Sequence, residues 1–492
     1  MSKKDCLCPK CPSYPFHGES LYCLEGNSQF EVHERGCLCA SCPVYHEKKL
    51  EGLYFCNKDL IGDERIFMRR RKKCEDPKNY EKIIQIKIMS KGKNVIGSMG
   101  SPKKPPYTFD DINFIPAQIH RIPLNEDEKV NTEVTIGPKA KRSLKVNSSI
   151  IISGMSYGAI SEKAKKATAT TAKNLGIAYN SGEGGVLEYE LEVASSQIIL
   201  QYSTGRFGLN KEIIKKAAAI EIRFDQGAYP GKGSYLPPEK ISQDVARIRG
   251  IRKDEGAYFP THHPDIKNVK ELEEKIEWLR KISSGAPIGA KIGCGDIEED
   301  IRLLLDSGVD FISIDGFGGG TSTAFTHIRD NVGLPLISAL PGAAHIIKGA
   351  GEKGEVSLIA GGGLRTSADM AKCLALGADA IYIGTAALIA LNCEQHHLCH
   401  TGMCPTGITT HDPHLLKQFN LEKATKRLKN FIMVATGEIA DFARITGKDD
   451  IKLLDDSDIF SFKRGLAELA GIKWLDGSIS WEVLCDEGAM FH

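Results

Sequence analysis

From about residue 145, short apolar runs alternate with amphipathic stretches, and most of these runs end at glycine or polar residues. The runs cover residues 149–153, 176–179, 197–200, 218–222, 286–292, 311–314, 356–360 and 380–383. Between them, apolar positions at helical spacing predict helices, most clearly over 269–282 and 297–305, with Gly308 as the stop of the second. Such strand–helix alternation over roughly 240 residues is typical of an α/β fold of the (β/α)8 TIM-barrel type, and a doubly wound sheet explains it less well.

The same pattern divides the chain into four parts. Residues 1–75 form a cysteine-rich repeat module, and residues 76–145, which include the Lys103–Pro106 run, are predicted to be a linker with surface character. The barrel is expected to occupy residues 146–410. Residues 411–492 are predicted to form a helical extension, clearest over 426–444.

Polar and glycine residues follow the predicted strands, and in a barrel they would share the C-terminal face, where active sites lie. In chain order they are Gly154, Met155, Ser156, Asn180, Glu183, Gln201, Arg223, Gln226, Asp315, Gly362, Gly363, Gly384 and Thr385. The glycines after the last two strands predict a phosphate site, because backbone N–H groups can approach an anion closely there. Gly318-Gly319-Gly320, taken alone, indicates only a flexible turn.

Lys291 lies within the fifth predicted strand, flanked by apolar residues. Lysine is rarely fully buried unless it is paired, so this position is either a side chain reaching solvent at the strand end or a functional charge. A fixed positive charge beside a flavin ring would stabilise the anionic reduced form. Combined with the phosphate site, Lys291 suggests FMN as the cofactor.

Cysteine usage adds a second kind of chemistry. The chain has 15 cysteines, and two copies of C-x-C-x2-C-P, each followed by a fourth cysteine, lie near the N-terminus. In a reducing compartment such clusters bind metal more often than they form disulfides. The two predicted ligand sets are Cys6, Cys8, Cys11 and Cys23, and Cys37, Cys39, Cys42 and Cys56, holding two [4Fe–4S] clusters or, alternatively, two zinc ions.

A further set, Cys393, Cys399 and Cys404, has the spacing C-x5-C-x4-C-P directly after the eighth predicted strand. From the residues alone, one zinc ion completed by His396, His397 or His400 is an alternative to a cluster. Three thiolates without a fourth are the set that a [3Fe–4S] cluster requires.

Charge and hydropathy narrow the class of protein. The 492 residues carry a net charge of +1, which does not indicate binding to nucleic acid or to a membrane surface. The N-terminus has no apolar signal region, and the longest apolar stretch, 380–391, is too short to span a bilayer. We therefore expect a soluble cytoplasmic protein. No G-x-G-x-x-G unit appears in a strand–turn–helix context, so NAD(P)H is not expected to bind this chain.

The region 109–408 resembles the FMN-binding synthase domain of glutamate synthase, of the stand-alone archaeal type that lacks a glutaminase domain. The matching motifs occur in the family's order: 154–158 (GMSYG), 180–185 (NSGEGG), 204–208 (TGRFG), 226–231 (QGAYPG), 384–388 (GTAAL) and the three-cysteine stretch.

This resemblance implies a barrel that holds FMN and a [3Fe–4S] cluster, and that converts 2-oxoglutarate and ammonia, through an imine, to L-glutamate. By position, Cys393, Cys399 and Cys404 would hold the cluster, and Ser156, Lys291, Gly362, Gly363, Gly384 and Thr385 would hold FMN. Arg223, Gln226 and Arg249 would face the substrate, and Glu183 would lie near the ammonia entrance. Arg249, on a predicted helix over 241–249, could equally be an ordinary surface residue.

Two departures from the family concern the substrate. Tyr229 and Arg223 each stand where the family usually has lysine, so the oxo-acid pocket loses one positive charge. The alternatives are therefore a related FMN oxidoreductase acting on another oxo-acid or an N-substituted glutamate, or a non-catalytic electron-transfer subunit.

Other departures from the family concern the sources of ammonia and electrons. A glutaminase domain and a C-terminal β-helix are not expected, so ammonia would be free or come from another chain. Electrons would come from an external donor, a ferredoxin or a flavoprotein subunit, and the N-terminal centres would relay them to the inner cluster. The sequence leaves both a homo-oligomer and a hetero-oligomer open.

Overall fold

The computed structural model describes residues 6–14, 21–22, 28, 32–33, 35–47, 54, 56, 77–253 and 255–476. Its centre is a closed barrel of parallel strands that follow one another in chain order around the ring, the last pairing with the first. The barrel strands are Ile150–Ile152, Tyr179–Asn180, Ile198–Ser203, Ala219–Arg223, Ile288–Gly293, Phe311–Asp315, Ser357–Gly361 and Ala380–Ile383. Each falls on one of the predicted runs, which confirms the (β/α)8 barrel.

The strands form where the sequence has Ile-rich runs, because β-branched side chains fit a pleated surface buried on both faces. Ile150, Ile151 and Ile152 are all fully buried in the main hydrophobic core. Helices pack around the ring and carry the predicted end signals. The side chain of Asn268 accepts a hydrogen bond from the Glu271 N–H at the start of helix Val269–Ile282, and Gly308, with φ +77°, follows helix Ile297–Asp306.

The helices of the described residues surround the barrel and extend beyond it. They are Pro43–Glu47, Pro77–Met89, Glu162–Leu175, Glu188–Ala194, Lys211–Lys216, Gln243–Arg249, Val269–Ile282, Ile297–Asp306, Thr326–Arg329, Leu336–Gly349, Ser367–Ala375, Thr385–Ala390, Pro413–Leu416, Leu421–Ile445 and Arg464–Ala470. Short 3-10 helices lie at Cys8–Lys10, Cys39–Ser41, Phe109–Asp111, Ser195–Gln197, Pro238–Lys240, Ile451–Leu453 and Asp456–Asp458. Within the described ranges, every helix is too short or too polar to cross a lipid bilayer.

Segments on either side of the barrel strands are tied to it by small sheets. In the stretch predicted as a linker, Ile96–Met99 pairs antiparallel with Thr321–Phe325. Asn113–Phe114 joins Ile459–Ser461 and Lys473–Trp474 in a second sheet, and further pairs join Val134–Ile136 to Leu144–Val146 and Tyr235–Leu236 to Ala257–Tyr258. The C-terminal part described by the structure is therefore mostly, but not wholly, helical.

Candidate active site and cysteine loops

One cavity at the carboxyl ends of the barrel strands encloses about 840 Å³ of empty space. The predicted site residues that line it are Gly154, Met155, Ser156, Glu183, Gln201, Gln226, Arg249, Gly384 and Thr385. Cys399, from the three-cysteine loop, lines the same cavity. Residues from both predicted centres, the flavin site and the cluster loop, therefore meet in one space, which is partly open to solvent.

Arg223, at the end of the fourth barrel strand, is held in a closed network beside this cavity. Its Nη1 forms a salt bridge with Glu183, and its Nη2 donates to the hydroxyl of Tyr229 at 2.9 Å. The other carboxylate oxygen of Glu183 accepts from Ser234 Oγ at 2.8 Å. Burial opposes the charge, yet Glu183 raises the pKa of the Arg223 guanidinium above its ordinary value. The positive charge of Arg223 is thus already compensated within the protein.

Arg249 has a different environment. It ends helix Gln243–Arg249 and is only 2% exposed, so the alternative of a surface position was wrong. Its Nη2 donates to Ser156 Oγ at 3.1 Å and to the Tyr157 carbonyl at 2.7 Å, whereas Nη1 is buried without a hydrogen-bond partner among the described residues. Burial lowers the pKa of Arg249 to about 10. This guanidinium can therefore still bind an anion entering the cavity.

A second network fills the barrel interior. The carboxylate of Glu221 accepts from Asn180 Nδ2 at 2.8 Å, from Gln201 Nε2 at 2.9 Å and from the Tyr382 hydroxyl at 2.8 Å. Asn180 also accepts from the Gly182 N–H through its Oδ1. Gln201 and Asn180 are both predicted cofactor contacts. Gln201 lines the cavity, whereas Asn180 does not, but both side chains donate to the Glu221 carboxylate.

Lys291 is buried and does not reach solvent, so the alternative of a lysine extending out of the strand end does not hold. Its Nζ lies 3.5 Å from Asp315 Oδ2 and 5.0 Å from the centroid of the Tyr382 ring. Asp315 in turn accepts from the Gly227 N–H at 3.1 Å. The pair fixes a lysine at the carboxyl ends of neighbouring strands, next to the loop that bears Gln226.

The loops after strands six and seven meet backbone to backbone, and the loop after strand six also packs against Thr385 after strand eight. Gly362 has φ +117°, and a Cβ added there would lie 2.5 Å from the Gly316 nitrogen. A Cβ on Gly320 would lie 3.1 Å from Thr385 Oγ1, so the run 318–320 is packed into the site and is not a free turn. Gly384 is open to the cavity, because an added Cβ would have only the Ser153 Cβ within 4 Å. This exposed backbone fits the predicted phosphate site.

The three cysteines of the loop lie close enough to influence one another electrostatically, and Cys399 and Cys404 are buried. Burial raises the pKa of Cys393 to about 12. In contrast, although burial acts in the opposite direction, hydrogen bonds from Thr406 and Thr409 lower the pKa of the Cys404 thiol. The Gln395 N–H donates to Cys393 Sγ at 3.4 Å. Such donors to sulfur suit thiolates that hold an iron–sulfur cluster.

The histidines of this loop have contacts of their own. His400 Nδ1 lies 2.7 Å from Ser98 Oγ, His397 Nδ1 lies 3.5 Å from the Ser98 carbonyl, and His396 Nε2 lies 3.0 Å from Glu394 Oε2. Among the residues that the structure describes, no three Cys, His, Asp or Glu side chains converge as they would on a single metal ion.

The N-terminal repeat has matching geometry in its two units. Cys6 Sγ accepts from the N–H groups of Cys8 and Leu21, and Cys37 Sγ accepts from those of Cys39 and Tyr54. The two units share an apolar cavity of about 460 Å³, lined by Cys8, Cys11, Cys37, Cys39, Cys42 and Cys56 together with Leu7, Leu38, Tyr14, Tyr22 and Tyr45. Cys23, predicted as a fourth ligand, lies outside the described residues.

The repeat contacts the three-cysteine loop. Gly36, which precedes Cys37, has φ +121°, and an added Cβ would overlap the backbone of His396. The Gly36 carbonyl accepts from Ser13 Oγ at 2.6 Å and from Cys11 Sγ at 3.4 Å, which ties the first unit to the same point. Both units of the repeat and the three-cysteine loop therefore meet at Gly36.

Some residues of the site are not predicted by any pattern in the sequence. Met99 and the stretch 321–323 line the cavity because their strands pair, and Tyr235 lies on the short strand Tyr235–Leu236, which pairs with Ala257–Tyr258. Lys240 is fully buried, and its Nζ donates to the carbonyls of Ala159 and Cys399, both at 2.7 Å. Burial lowers the pKa of Lys240 to about 8, while Cys399 and Cys404 act in the opposite direction.

Comparison with known proteins places this site in a family. Residues 79–449 match the model described as the conserved region in glutamate synthase, and residues 6–57 match a family described as a protein of unknown function, DUF2769. A glutamate synthase large subunit-like protein of Rhizobium meliloti is 36% identical, over 78% of this chain and 91% of the relative.

Two relatives are named archaeal glutamate synthase (NADPH). The protein of Methanocaldococcus jannaschii is 35% identical over 73% of this chain and 76% of its own length, and that of Archaeoglobus fulgidus is 38% identical over 67% and 63%. With a family model that matches well over half of the residues, the chain belongs to the glutamate synthase family, and it is an oxidoreductase of that kind.

Proposed function

We propose that this chain catalyses the reductive amination of a 2-oxo acid, with 2-oxoglutarate as the expected substrate and L-glutamate as the product. Ammonia would be the nitrogen donor, either free or delivered by another chain. Electrons would come from a ferredoxin or a flavoprotein subunit in the cytoplasm. The division into a cysteine-rich module, a linker, a barrel and a C-terminal extension belongs to the same proposal.

The observation that carries this proposal is the shared cavity. It brings Gly384 and Thr385, a guanidinium nitrogen of Arg249 without a partner, and Cys399 of the cluster loop into one space. A flavin, a carboxylate substrate and a cluster that feeds the flavin must lie within reach of one another. The cavity provides that proximity.

The chain's own residues fit both expected cofactors. Gly384 and Thr385 with the packed glycine loops would hold the phosphate of FMN, and Ser156, Gln201 and Lys291 would lie along its ring system. Cys393, Cys399 and Cys404 would hold a [3Fe–4S] cluster. When bound, the flavin supplies hydride transfer and the cluster supplies single electrons.

Arg249 would bind and orient the substrate carboxylate. Its Nη2 is fixed by Ser156 and Tyr157, so the unpartnered Nη1 has a defined direction before substrate enters. Charge-assisted hydrogen bonds of this kind are strong where water is excluded. Gln226 would add a neutral polar contact. Glu183, held by Arg223 and Ser234, would accept a hydrogen bond from the incoming ammonia, or a proton from ammonium.

The N-terminal repeat would deliver the electrons. Its six described cavity-lining cysteines and its contact with His396 support two [4Fe–4S] centres in line with the loop. Two zinc sites are the alternative, in which case the module would be a docking surface. About eleven iron atoms and matching sulfide per chain would support the relay, whereas about three would support zinc.

A second candidate function rests on Tyr229. Its hydroxyl accepts from Nη2 of Arg223, and Glu183 compensates the charge of that arginine. Arg249, in contrast, lines the pocket and forms no salt bridge with a described carboxylate. A substrate with one carboxylate near the flavin, or an N-substituted glutamate held differently, would suit this charge arrangement. The chemistry would still be flavin-dependent amination or its reverse.

Reoxidation of the reduced flavin separates these candidates. The holoenzyme is reduced anaerobically and mixed with 2-oxoglutarate plus ammonia, with other oxo-acids plus ammonia, or with each component alone. We expect rapid reoxidation only with an oxo-acid and ammonia together, and labelled ammonia should appear in the amino acid. If no oxo-acid reoxidises the flavin, the chain is an electron-transfer subunit and the proposal fails.

A matched pair of variants tests the substrate contact. Arg249→Met should raise the KM for the oxo-acid by roughly a hundredfold, because a charge-assisted contact is lost. Arg247→Met lies on the same helix but pairs with Asp244 at the surface, and it should leave KM unchanged. An equal effect of both changes would remove Arg249 from the substrate site.

A further inference from the structure

We propose that Lys240 is the counter-charge of the three-cysteine loop, and that its ammonium raises the reduction potential of the cluster held there. Lys240 is a positioning and potential-setting residue, which does not touch the substrate. The inference rests on the proposed cluster but concerns a residue outside the ligand set.

The position of Lys240 is fixed from two sides. Its Nζ donates to the Cys399 carbonyl and to the Ala159 carbonyl, which belongs to the loop after the first barrel strand. A Cβ on Gly402, in the cysteine loop, would lie 3.3 Å from the Glu239 carbonyl and 3.7 Å from Lys240 Cγ. The lysine stem and the loop are therefore packed together, and the ammonium joins the loop to the barrel.

The charge of Lys240 has no carboxylate partner among the described residues. Its side chain is fully buried, and its Nζ donates to the carbonyls of Ala159 and Cys399. Removing an ammonium from water costs several kcal/mol unless negative charge compensates it. The thiolates that would hold the cluster, Cys399 among them, would supply that compensating charge.

This arrangement has a redox consequence. When the cluster accepts one electron, the donor is oxidised, no bond forms or breaks, and the loop gains one negative charge. A fixed positive charge stabilises the more negative state, and net charge and hydrogen bonding set the potentials of iron–sulfur clusters. Lys240 would thus favour transfer of electrons from the repeat to the loop.

A redox titration followed by electron paramagnetic resonance tests this on the full-length protein. An oxidised [3Fe–4S] cluster is paramagnetic, whereas an oxidised [4Fe–4S]²⁺ cluster is diamagnetic, so the loop is observed separately from the repeat. In Lys240→Met we expect a lower midpoint potential, with the reduction equilibrium shifted about tenfold or more; tenfold corresponds to 59 mV. Lys240→Arg, which keeps the charge, should stay close to the wild type.

Lys163→Met is the matched control. Lys163 Nζ also donates to two backbone carbonyls, of Leu416 and Phe419, but these lie in the segment before the long C-terminal helix. The control should leave the midpoint potential unchanged. An equal shift in Lys163→Met and Lys240→Met would mean that any loss of a carbonyl-bound lysine disturbs the loop, and the proposal would be wrong.

The remaining outcomes are also decisive. If Lys240→Met keeps the signal at an unchanged potential, the charge has no role. If the Lys240→Met protein loses the cluster while the Lys240→Arg protein retains it, the charge is needed to hold the cluster, which supports the proposal. Loss of the cluster in both variants contradicts the proposal. A wild-type protein without this signal would remove the proposed cluster itself, which distinguishes that failure from a failure of Lys240 alone.

Discussion

At the scale of single residues, the two arginines of the site are in opposite situations. Arg223 is compensated by Glu183 and bonded to Tyr229, whereas Arg249 forms no salt bridge with a described carboxylate. Each arginine keeps one buried nitrogen without a hydrogen-bond partner among the described residues, Nε in Arg223 and Nη1 in Arg249. The difference follows from their neighbours, since Arg223 ends a strand facing Glu183 and Arg249 meets only carbonyl and hydroxyl oxygens. A substrate anion therefore gains most from Arg249.

Glu183→Gln tests the compensated pair. The change leaves the Arg223 guanidinium buried beside a neutral amide, which should reduce the free energy of unfolding by about 3 kcal/mol. Urea denaturation followed by circular dichroism measures this. Glu212→Gln removes an exposed partner of Lys215 and should leave the denaturation midpoint nearly unchanged. Equal midpoints for the two variants would show that Arg223 does not depend on Glu183.

At the scale of elements, the loops after strands six and seven are shaped by contacts between their backbones. Gly362 adopts φ +117° and lies against Gly316, so the two loops approach more closely than side chains would permit. The proposed phosphate site would depend on this approach, because the loop after strand six also carries Gly320, which packs against the Thr385 side chain.

Gly362→Ala should destabilise the protein by at least about 2 kcal/mol and weaken flavin binding, because it combines backbone strain with a clash. Gly342→Ala is the control, since this glycine lies inside helix Leu336–Gly349 with nothing within 4 Å of an added Cβ. It should instead stabilise the helix by about 0.5–1 kcal/mol. Thermal unfolding and flavin fluorescence measure both effects; a stable, flavin-replete Gly362→Ala protein would contradict the argument.

Strands and helices could be predicted from the sequence where they produce a local pattern of apolar residues. Strands such as Phe311–Asp315 are buried on both faces and so give continuous apolar runs, and helix Val269–Ile282 has a clear apolar stripe. The helix that bears Arg249 was predicted too, but its periodicity did not decide which way the last turn faces.

Other features arise only from distant pairings. Met99 reaches the cavity because Ile96–Met99 pairs with Thr321–Phe325, although the segment before it has the composition of a linker. Lys240 follows two prolines and a glutamate, which indicates an exposed turn, yet tertiary packing buries it against Cys399. No local pattern contains that information.

At the scale of the whole molecule, the cysteine groups form a continuous series along one side of the barrel mouth. The two repeat units share a cavity, Gly36 joins them to His396, and Cys399 lines the cavity of the proposed active site. Electrons entering at the repeat would thus reach the flavin along a short path through covalent bonds and packing contacts.

Gly36→Ala should interrupt this route. An added methyl overlaps the His396 backbone, so the repeat must shift away, and flavin reduction by an external one-electron donor should slow roughly tenfold. Gly351→Ala is the control, because Gly351 also has a positive φ, +76°, but nothing within 4 Å of the new Cβ. Stopped-flow absorbance measures the rate; identical rates in both variants would mean that electrons do not cross at Gly36.

The contact between Gly36 and His396 also affects the access of molecular oxygen to the three-cysteine loop. Cys399 and Cys404 are buried, and the backbone between Cys393 and Cys399 is covered by the repeat at His396. Molecular oxygen that approaches the loop from the side of His396 would therefore have to pass the N-terminal module. The tolerance of the inner cluster to oxygen would then depend on a segment that lies at the opposite end of the sequence.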